Sequence, residues 1–395
     1  MTEQIEKYFN SFDFDIRKTN NARFLDQKVT PDVLSMVTDC VLNYVDSKGV
    51  VEFTSTNIWK DNIYSNENVQ DTFGKTDISN KKAKNEYDKF FQQPLKALAY
   101  AKVLSEEKKG TRIYFKILNR DILEYILIKE KHSLEFLNIY LEKVLRDSNI
   151  WYLFDDFFKI NTKEKFDILK SKYEVFIIEN TPINGKTEVR RIFPKIINPL
   201  SFKRKKHGTK GGRFSKDIIG RDELMYNRKN WRDIKKKREE TRKEYELRAK
   251  DEMEYRKLAY IKYTLNKAKN IIKKVHGVTS EVRDELSIGE ATNIHHIFMK
   301  SQYPQIASYL ENLILLTATQ HFTKAHPNNN TSIIDKDYQL ICLLVKSESI
   351  QKHDTIYSKE DFLYVIKIGL DYEFSNNIEF DILQTKLVEL YNDIV

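Results

Sequence analysis

ATNIHHIFMKSQYPQIASYLENLILLTATQHFTKAHPNNNT, residues 291–331, holds four of the eight histidines of this 395-residue chain: His295, His296, His321 and His326. A fifth, His276, lies a little upstream. Two are adjacent, two lie five apart, and Asn312 falls between the pairs. Core packing gives no reason to gather imidazoles in this way. Metal binding combined with proton transfer does, because imidazole is both a common metal ligand and the side chain that titrates near neutral pH. Ile294 and Ile297 flank the His pair, which reads as the end of a short strand. Leu310 to Thr317 reads as a second strand and Ala318 to Ala325 as a helix, with Pro304 in the loop between the strands. Neighbouring residues on a strand point to opposite sides, so His295 and His296 are expected to face different ways.

This constellation resembles the HNH nucleases of the ββα-metal superfamily. In that pattern an acid or His, then a His, end the first strand. An Asn starts the second strand, and a His or Asn lies on the helix nine positions after it. The matching residues here are His295, His296, Asn312 and His321, and Asn312 and His321 are nine positions apart. The resemblance implies that His295 and His321 hold one divalent cation, Mg²⁺ or another such as Mn²⁺. It gives His296 the work of deprotonating a water, and Asn312 that of bracing the loop and orienting His296. His326 follows His321 by five positions rather than the four seen in some relatives. An α-helix would turn it off that face, so it stands as an accessory ligand or phosphate contact. The paired zinc cysteines of many relatives are absent, since the chain has only Cys40 and Cys342.

Composition sets the frame for that reading. Hydrophobic residues make up 41% and aromatics 12%, enough for two or three folded domains. No apolar run approaches the roughly 20 residues needed to cross a membrane. The opening MTEQIEKYFNSFDFD is acidic and mixed, unlike a targeting peptide. The two cysteines read as buried, reduced thiols, so a cytoplasmic protein is expected. Charge is uneven: residues 201–250 carry 19 Lys/Arg against 8 Asp/Glu, an excess larger than the +9 of the whole chain. Basic character confined to one segment points to a polyanionic partner.

Working forward from the N-terminus, the first thirty residues read as a lead-in arm. A helix is expected from Pro31, with Thr30 as N-cap, Val33, Val37 and Val41 on one face, and Gly49 as its stop. A short strand and a second helix follow in VVEFTSTNIWKDNIY, then a third helix over roughly 81–93 that Pro94 should break or kink. KVLSEEKKGTRIYFKIL reads as a hairpin turning at Gly110. Three helices and a basic hairpin match the winged-helix layout, in which the third helix enters the major groove. Residues 119–170 read as packing helices, and YEVFIIENTPINGKTEVRRIFPKI as a hairpin turning at Asn184-Gly185. Gly185-Lys186-Thr187 is not a phosphate-binding loop, because that motif needs a glycine where Asn180 stands.

The basic segment divides in two. Lys203, Arg204, Lys205, Lys206, Lys210 and Arg213, with Gly208, Gly211 and Gly212 between them, are expected to contact DNA phosphates. Residues from about Arg221 to Lys274 contain no Pro or Gly and read as one long helix, at whose start Tyr226, Asn227, Arg228 and Trp231 are further candidates for DNA contact. Three amphipathic helices follow Thr331.

Together these readings describe an α+β, predominantly helical protein. Residues 1–150 form an N-terminal winged-helix-like region, 151–275 a basic DNA-contacting region with a helical connector, and 276–395 the HNH nuclease domain. The wider resemblance, carried by ENLILLTATQHFTKAHPNNNT and GTKGGRFSKDII…ELMYNRKNWRD, is to HNH restriction endonucleases, and among them to the type IIS group similar to MboII. It implies site-specific cleavage of double-stranded DNA, with a homodimer for cutting both strands and a cognate DNA methyltransferase as a separate protein. Two other readings fit parts of the chain: a winged-helix regulator that binds without cutting, and an HNH nuclease of the homing or toxin kind.

Overall fold

A computed structural model describes the chain except residues 20, 21, 76, 81, 82, 227–236, 238, 331 and 395. The fold is mixed α+β and mostly helical, with small sheets. It divides by compactness into two units, Met1–Lys257 and Leu258–Val395, where the sequence suggested three segments.

The first unit begins with α1 (Thr2–Phe9) and α2 (Ile16–Thr19). The expected lead-in arm is instead part of the core. Ile5, Phe9, Phe14 and Ile16 are buried, and the Phe9 and Phe14 rings pack on Tyr140 with centroids about 6.0 Å away. Helix α3 (Pro31–Lys48) buries Val33, Val37 and Val41 and ends at Gly49, whose φ of 63° suits a residue without Cβ. The Thr30 hydroxyl does not cap the helix; it donates to Asp32 Oδ1. Strand β1 (Glu52–Thr54) leads through a capping box of Thr54 and Asn57 into α4 (Ser55–Lys60), then α5 (Ile63–Phe73).

Helix α6 (Ala83–Tyr100) continues past Pro94, so of the expected break or kink the break does not occur. An interior proline costs about 3 kcal/mol. The residues beyond it offset that, because Leu95 and Leu98 are fully buried, each contributing roughly 1.5–3 kcal/mol. Strands β2 (Leu104–Lys109) and β3 (Arg112–Ile117) form the expected hairpin, with Gly110 at φ 62° in its two-residue turn. Strand β1 pairs antiparallel with β3, giving the order β1-β3-β2.

Helices α7 (Arg120–Ile128), α8 (Glu130–Asp147) and α9 (Trp151–Lys159) follow as expected. The hairpin expected over residues 173–196 is two helices, α10 (Lys163–Asn180) and α11 (Lys186–Lys203). Val189, Ile192, Phe193 and Ile196 recur at helical spacing and are all buried, and this face outweighs the β-propensity of the branched residues. The glycine-rich basic stretch is a hairpin, β4 (His207–Lys210) and β5 (Arg213–Ile218), turning at Gly211 and Gly212 with φ 61° and 78°. Asn198 of α11 staples it by bonding both the N–H and the carbonyl of Thr209, at 2.9 and 3.0 Å. The long helix, α12 (Arg242–His276), begins later than expected, and Arg221–Glu223 is a separate short turn.

The second unit contains the end of α12, then β6 (Ala291–His296) antiparallel to β7 (Leu313–Thr317). Helices α13 (Lys336–Lys352), α14 (Lys359–Leu370) and α15 (Phe380–Ile394) match the three expected after Thr331. Leu343, Phe362, Val365, Leu383 and Leu387 of these helices are buried. Cys40 and Cys342 are both buried and unbridged. No helix among the described residues is long and apolar enough to cross a membrane.

Candidate metal centre

Strand β6 places His295 opposite Ile314 of β7 and His296 opposite Leu313. Beyond β7, Thr317 and Gln320 form a T-x-x-Q capping box. Gln320 N donates to Thr317 Oγ1 at 3.1 Å, and Gln320 Oε1 accepts from Thr317 N at 3.0 Å. Gln320 Nε2 also donates to the Val282 carbonyl at 3.0 Å, so the start of the turn is tied to the preceding loop.

The turn that follows, Gln320–Ala325, is wound as a π-helix rather than an α-helix. Its closing bond runs from His326 N to the His321 carbonyl, five residues back, at 3.1 Å. This winding brings together two side chains that an α-helix would have separated. The rings of His295, His321 and His326 meet with centroids 5.4, 4.9 and 4.8 Å apart. One ring nitrogen from each lies within 4.8 Å of the others. His326 therefore joins His295 and His321 on equal terms, a larger part than the sequence reading gave it.

Hydrogen bonding identifies which nitrogens are free. His326 Nδ1 is 2.7 Å from the Ile333 carbonyl, which only accepts, so that nitrogen carries the proton and Nε2 carries the lone pair. Anchoring one ring nitrogen on a carbonyl while the other faces an ion is the usual outer support of a metal-binding histidine. His295 Nε2 and His321 Nδ1 are buried with no hydrogen-bond partner. Unsatisfied buried nitrogens are costly unless something binds them. Burial, then the neighbouring imidazoles, pushes the pKa of His295 well down, and burial followed by His326 lowers that of His321. Both stay neutral at pH 7, the state that ligates metal.

Three imidazoles without a carboxylate form a nitrogen donor set. It fits a divalent cation such as Zn²⁺ or Ni²⁺ better than Mg²⁺, which prefers oxygen. Nitrogens around one tetrahedral ion stand roughly 3.4 Å apart for a bond of about 2.1 Å, so these rings need close by only about an ångström.

His296 is held apart from that set. Its Nε2 lies 3.2 Å from the Ala307 carbonyl, which makes Nε2 the protonated nitrogen and leaves Nδ1 as the ring's proton acceptor. Burial, Lys269 and Lys300 push its pKa down to about 4 against the opposing bond to Ala307. Asn312 is fully buried in the short turn before β7, just ahead of the strand rather than within it. Its Oδ1 accepts from Phe298 N at 2.8 Å, and its Nδ2 donates to the carbonyls of Phe298 and Ile306 at 3.1 and 3.3 Å. Asn312 thus pins both ends of the loop whose Ala307 carbonyl orients His296. The four histidines, Lys300 and Ser301 line one open cavity of about 540 Å³. The sequence reading assigned no role to Lys300 or Ser301.

The expected DNA contacts lie in the first unit. Lys203, Lys205, Lys210 and Arg213 are exposed at the end of α11 and on the β4–β5 hairpin, with Lys206 half-buried and Lys210 paired to Glu223 at 3.2 Å. Arg204 is half-buried: it bonds Glu142 at 2.7 Å and lies over the rings of Trp151 and Phe158 at 5.0 and 4.8 Å. Tyr226 is packed against Phe73 and Phe90. Arg228, Asn227 and Trp231 lie outside the described residues. Comparison with protein-family models, curated proteins and solved structures gave no match.

Proposed function

We propose that this chain is a metal-dependent DNA endonuclease of the HNH kind, working as a site-specific restriction enzyme. The observation that carries the reading is the grouping in one cavity of three imidazoles with two orphaned nitrogens and a fourth imidazole kept neutral and separately oriented. Buried ring nitrogens are seldom left unsatisfied in pairs facing one another.

The residues divide the work of phosphodiester hydrolysis as follows. His296, neutral above about pH 4, accepts a proton from water at Nδ1. The water oxygen forms a bond to phosphorus, the P–O bond to the leaving sugar oxygen breaks and that oxygen takes a proton from solvent, while His296 returns its own proton to solvent. Asn312 keeps that ring in place through the loop it braces. His295, His321 and His326 would hold the cation, which when bound neutralises charge on the phosphoryl group and the leaving oxygen. DNA recognition is assigned to the first unit. The order α3-β1-α4-α5-α6-β2-β3, with β1 joined to β3, supports a winged-helix-like reading in which α6 enters the groove.

The test uses purified protein with supercoiled plasmid and Mg²⁺, Mn²⁺, Zn²⁺ or Ni²⁺ in turn. Cleavage to discrete ends is expected, lost in His296→Ala while DNA binding persists. Wild-type cleavage by His296→Ala would refute the role given to that residue. Specific binding with no cleavage under any cation would favour the regulator.

A further inference from the structure

We propose that Lys28, Lys75 and the Tyr226 hydroxyl form a binding site for a backbone phosphate of DNA, and that Glu86 fills this site in its absence. The proposal rests on the DNA-binding reading above. Both ammonium groups converge on one oxygen: Lys28 Nζ and Lys75 Nζ each lie 2.7 Å from Tyr226 Oη. The phenol is held firmly to receive them. Its ring packs on Phe73 and Phe90 with centroids 5.9 and 6.3 Å away, and its backbone N–H donates to Asp32 Oδ1 at 3.0 Å. The two ammoniums also lie over the Tyr226 ring, 4.4 and 4.7 Å from its centroid.

Like charges are seldom brought together in partly buried positions without an anion between them. The Lys75 and Lys28 side chains are only 9% and 16% exposed. Glu86 reaches both, but at 3.3 and 3.7 Å, the second beyond hydrogen-bond range, and its side chain is 53% exposed. Among the described residues, Glu86 is the carboxylate paired with these two ammoniums, which leaves them with a net positive charge, and it can swing into solvent. The tyrosine hydroxyl accepts from both lysines through its lone pairs and keeps its own proton to donate. Two ammoniums then reach the place of the Glu86 carboxylate, with the tyrosine hydroxyl bonded to both of them, the kinds of donor that hold DNA phosphates. Glu86 sits in the first turn of α6, so a phosphate captured here would set the angle at which that helix meets the duplex.

Duplex binding is measured by fluorescence anisotropy across a salt series for wild type, Lys75→Gln and Glu86→Gln. Lys75→Gln should weaken binding similarly for all sequences and reduce the salt slope by about 1. Glu86→Gln should tighten binding severalfold, because it removes the competing carboxylate; a merely structural ion pair predicts no gain. An independent arm follows melting temperature with inorganic phosphate against chloride at equal ionic strength. Protection of wild type but not of Lys75→Gln upholds the anion site even if wild type fails to bind DNA, an outcome that would sink the DNA reading alone. An unchanged salt slope in Lys75→Gln, weaker binding by Glu86→Gln, or no phosphate protection in a protein that does not bind DNA would each overturn the proposal.

Discussion

Replacing Asn312 by alanine should loosen the loop that orients His296, and the size of the effect follows from its bonds. The side chain is fully buried and makes bonds of 2.8, 3.1 and 3.3 Å, all to main-chain groups of residues 298 and 306. Alanine leaves the Phe298 N–H unsatisfied, costing about 1–3 kcal/mol, and removes two donor bonds worth roughly 0.5–1.5 kcal/mol each. The expected loss is about 2–6 kcal/mol. Because the chain has two compact units, a single unfolding midpoint would blur the effect, and a local probe is needed. Hydrogen exchange of the Phe298 amide, followed by mass spectrometry without metal, supplies one. At about 1.4 kcal/mol per tenfold change, exchange should accelerate roughly 30-fold to on the order of 10,000-fold if the loop opens locally. Asn312→Asp keeps the acceptor for Phe298 N but sets a carboxylate oxygen against two carbonyls, so it should be no better than alanine. An acceleration below threefold in the alanine variant would refute the bracing role.

Three further outcomes are expected. His326→Ala should weaken metal binding, read by calorimetry, by at least the roughly 10–100-fold that losing an outer-shell partner costs, whereas an accessory role predicts almost no change. Lys346→Met should destabilise the second unit by about 3–5 kcal/mol, because Lys346 and Glu281 form a buried pair at 2.6 Å. Adding Glu281→Gln, which keeps an acceptor for Leu315 N, should restore most of that loss in a denaturation series. The metal-free protein should also lose stability as pH falls. His296 titrates at about 4 in the fold against an ordinary value of 6.5, so below pH 6.5 the unfolded chain binds the extra proton. Stability present above pH 6.5 should therefore drain away towards pH 4, by about 2–3 kcal/mol for this group, with His295 and His321 adding in the same direction. A flat melting temperature between pH 7 and pH 5 in EDTA would contradict the assigned burial.

How far the chain could be read in advance depended on whether the deciding interaction was local. Helix α3, the hairpin at Gly110 and the last three helices follow from spacing, caps and turn residues close together in sequence. The segment 173–196 was misread because Val, Ile and Phe favour strands locally, while its helical face is settled by burial against distant partners, such as Tyr173 against Phe193 at 5.3 Å. Pro94 shows the same in reverse, a local penalty overruled by buried leucines beyond it. The stacking of Arg204 on Trp151 was not legible, because charge alone does not say what a guanidinium packs against.

The site divides along that line as well. His295, His296 and Asn312 sit at strand ends and in a turn, where hydrophobic pattern and spacing place them within a residue or two. His326 could not be placed so, because five positions on an α-helix turn a side chain off its partner's face. The π-helical turn removes that conflict, and its causes lie outside the turn: Gln320 held by Thr317 and Val282 at one end, and His326 Nδ1 held by the Ile333 carbonyl at the other. An extra residue inserted into a helical turn is unfavourable in isolation and persists where contacts at both ends hold it. Here the gain is a third imidazole nitrogen in a set that would otherwise have two, which is why the five-residue spacing argues for a ligand in this chain rather than against one.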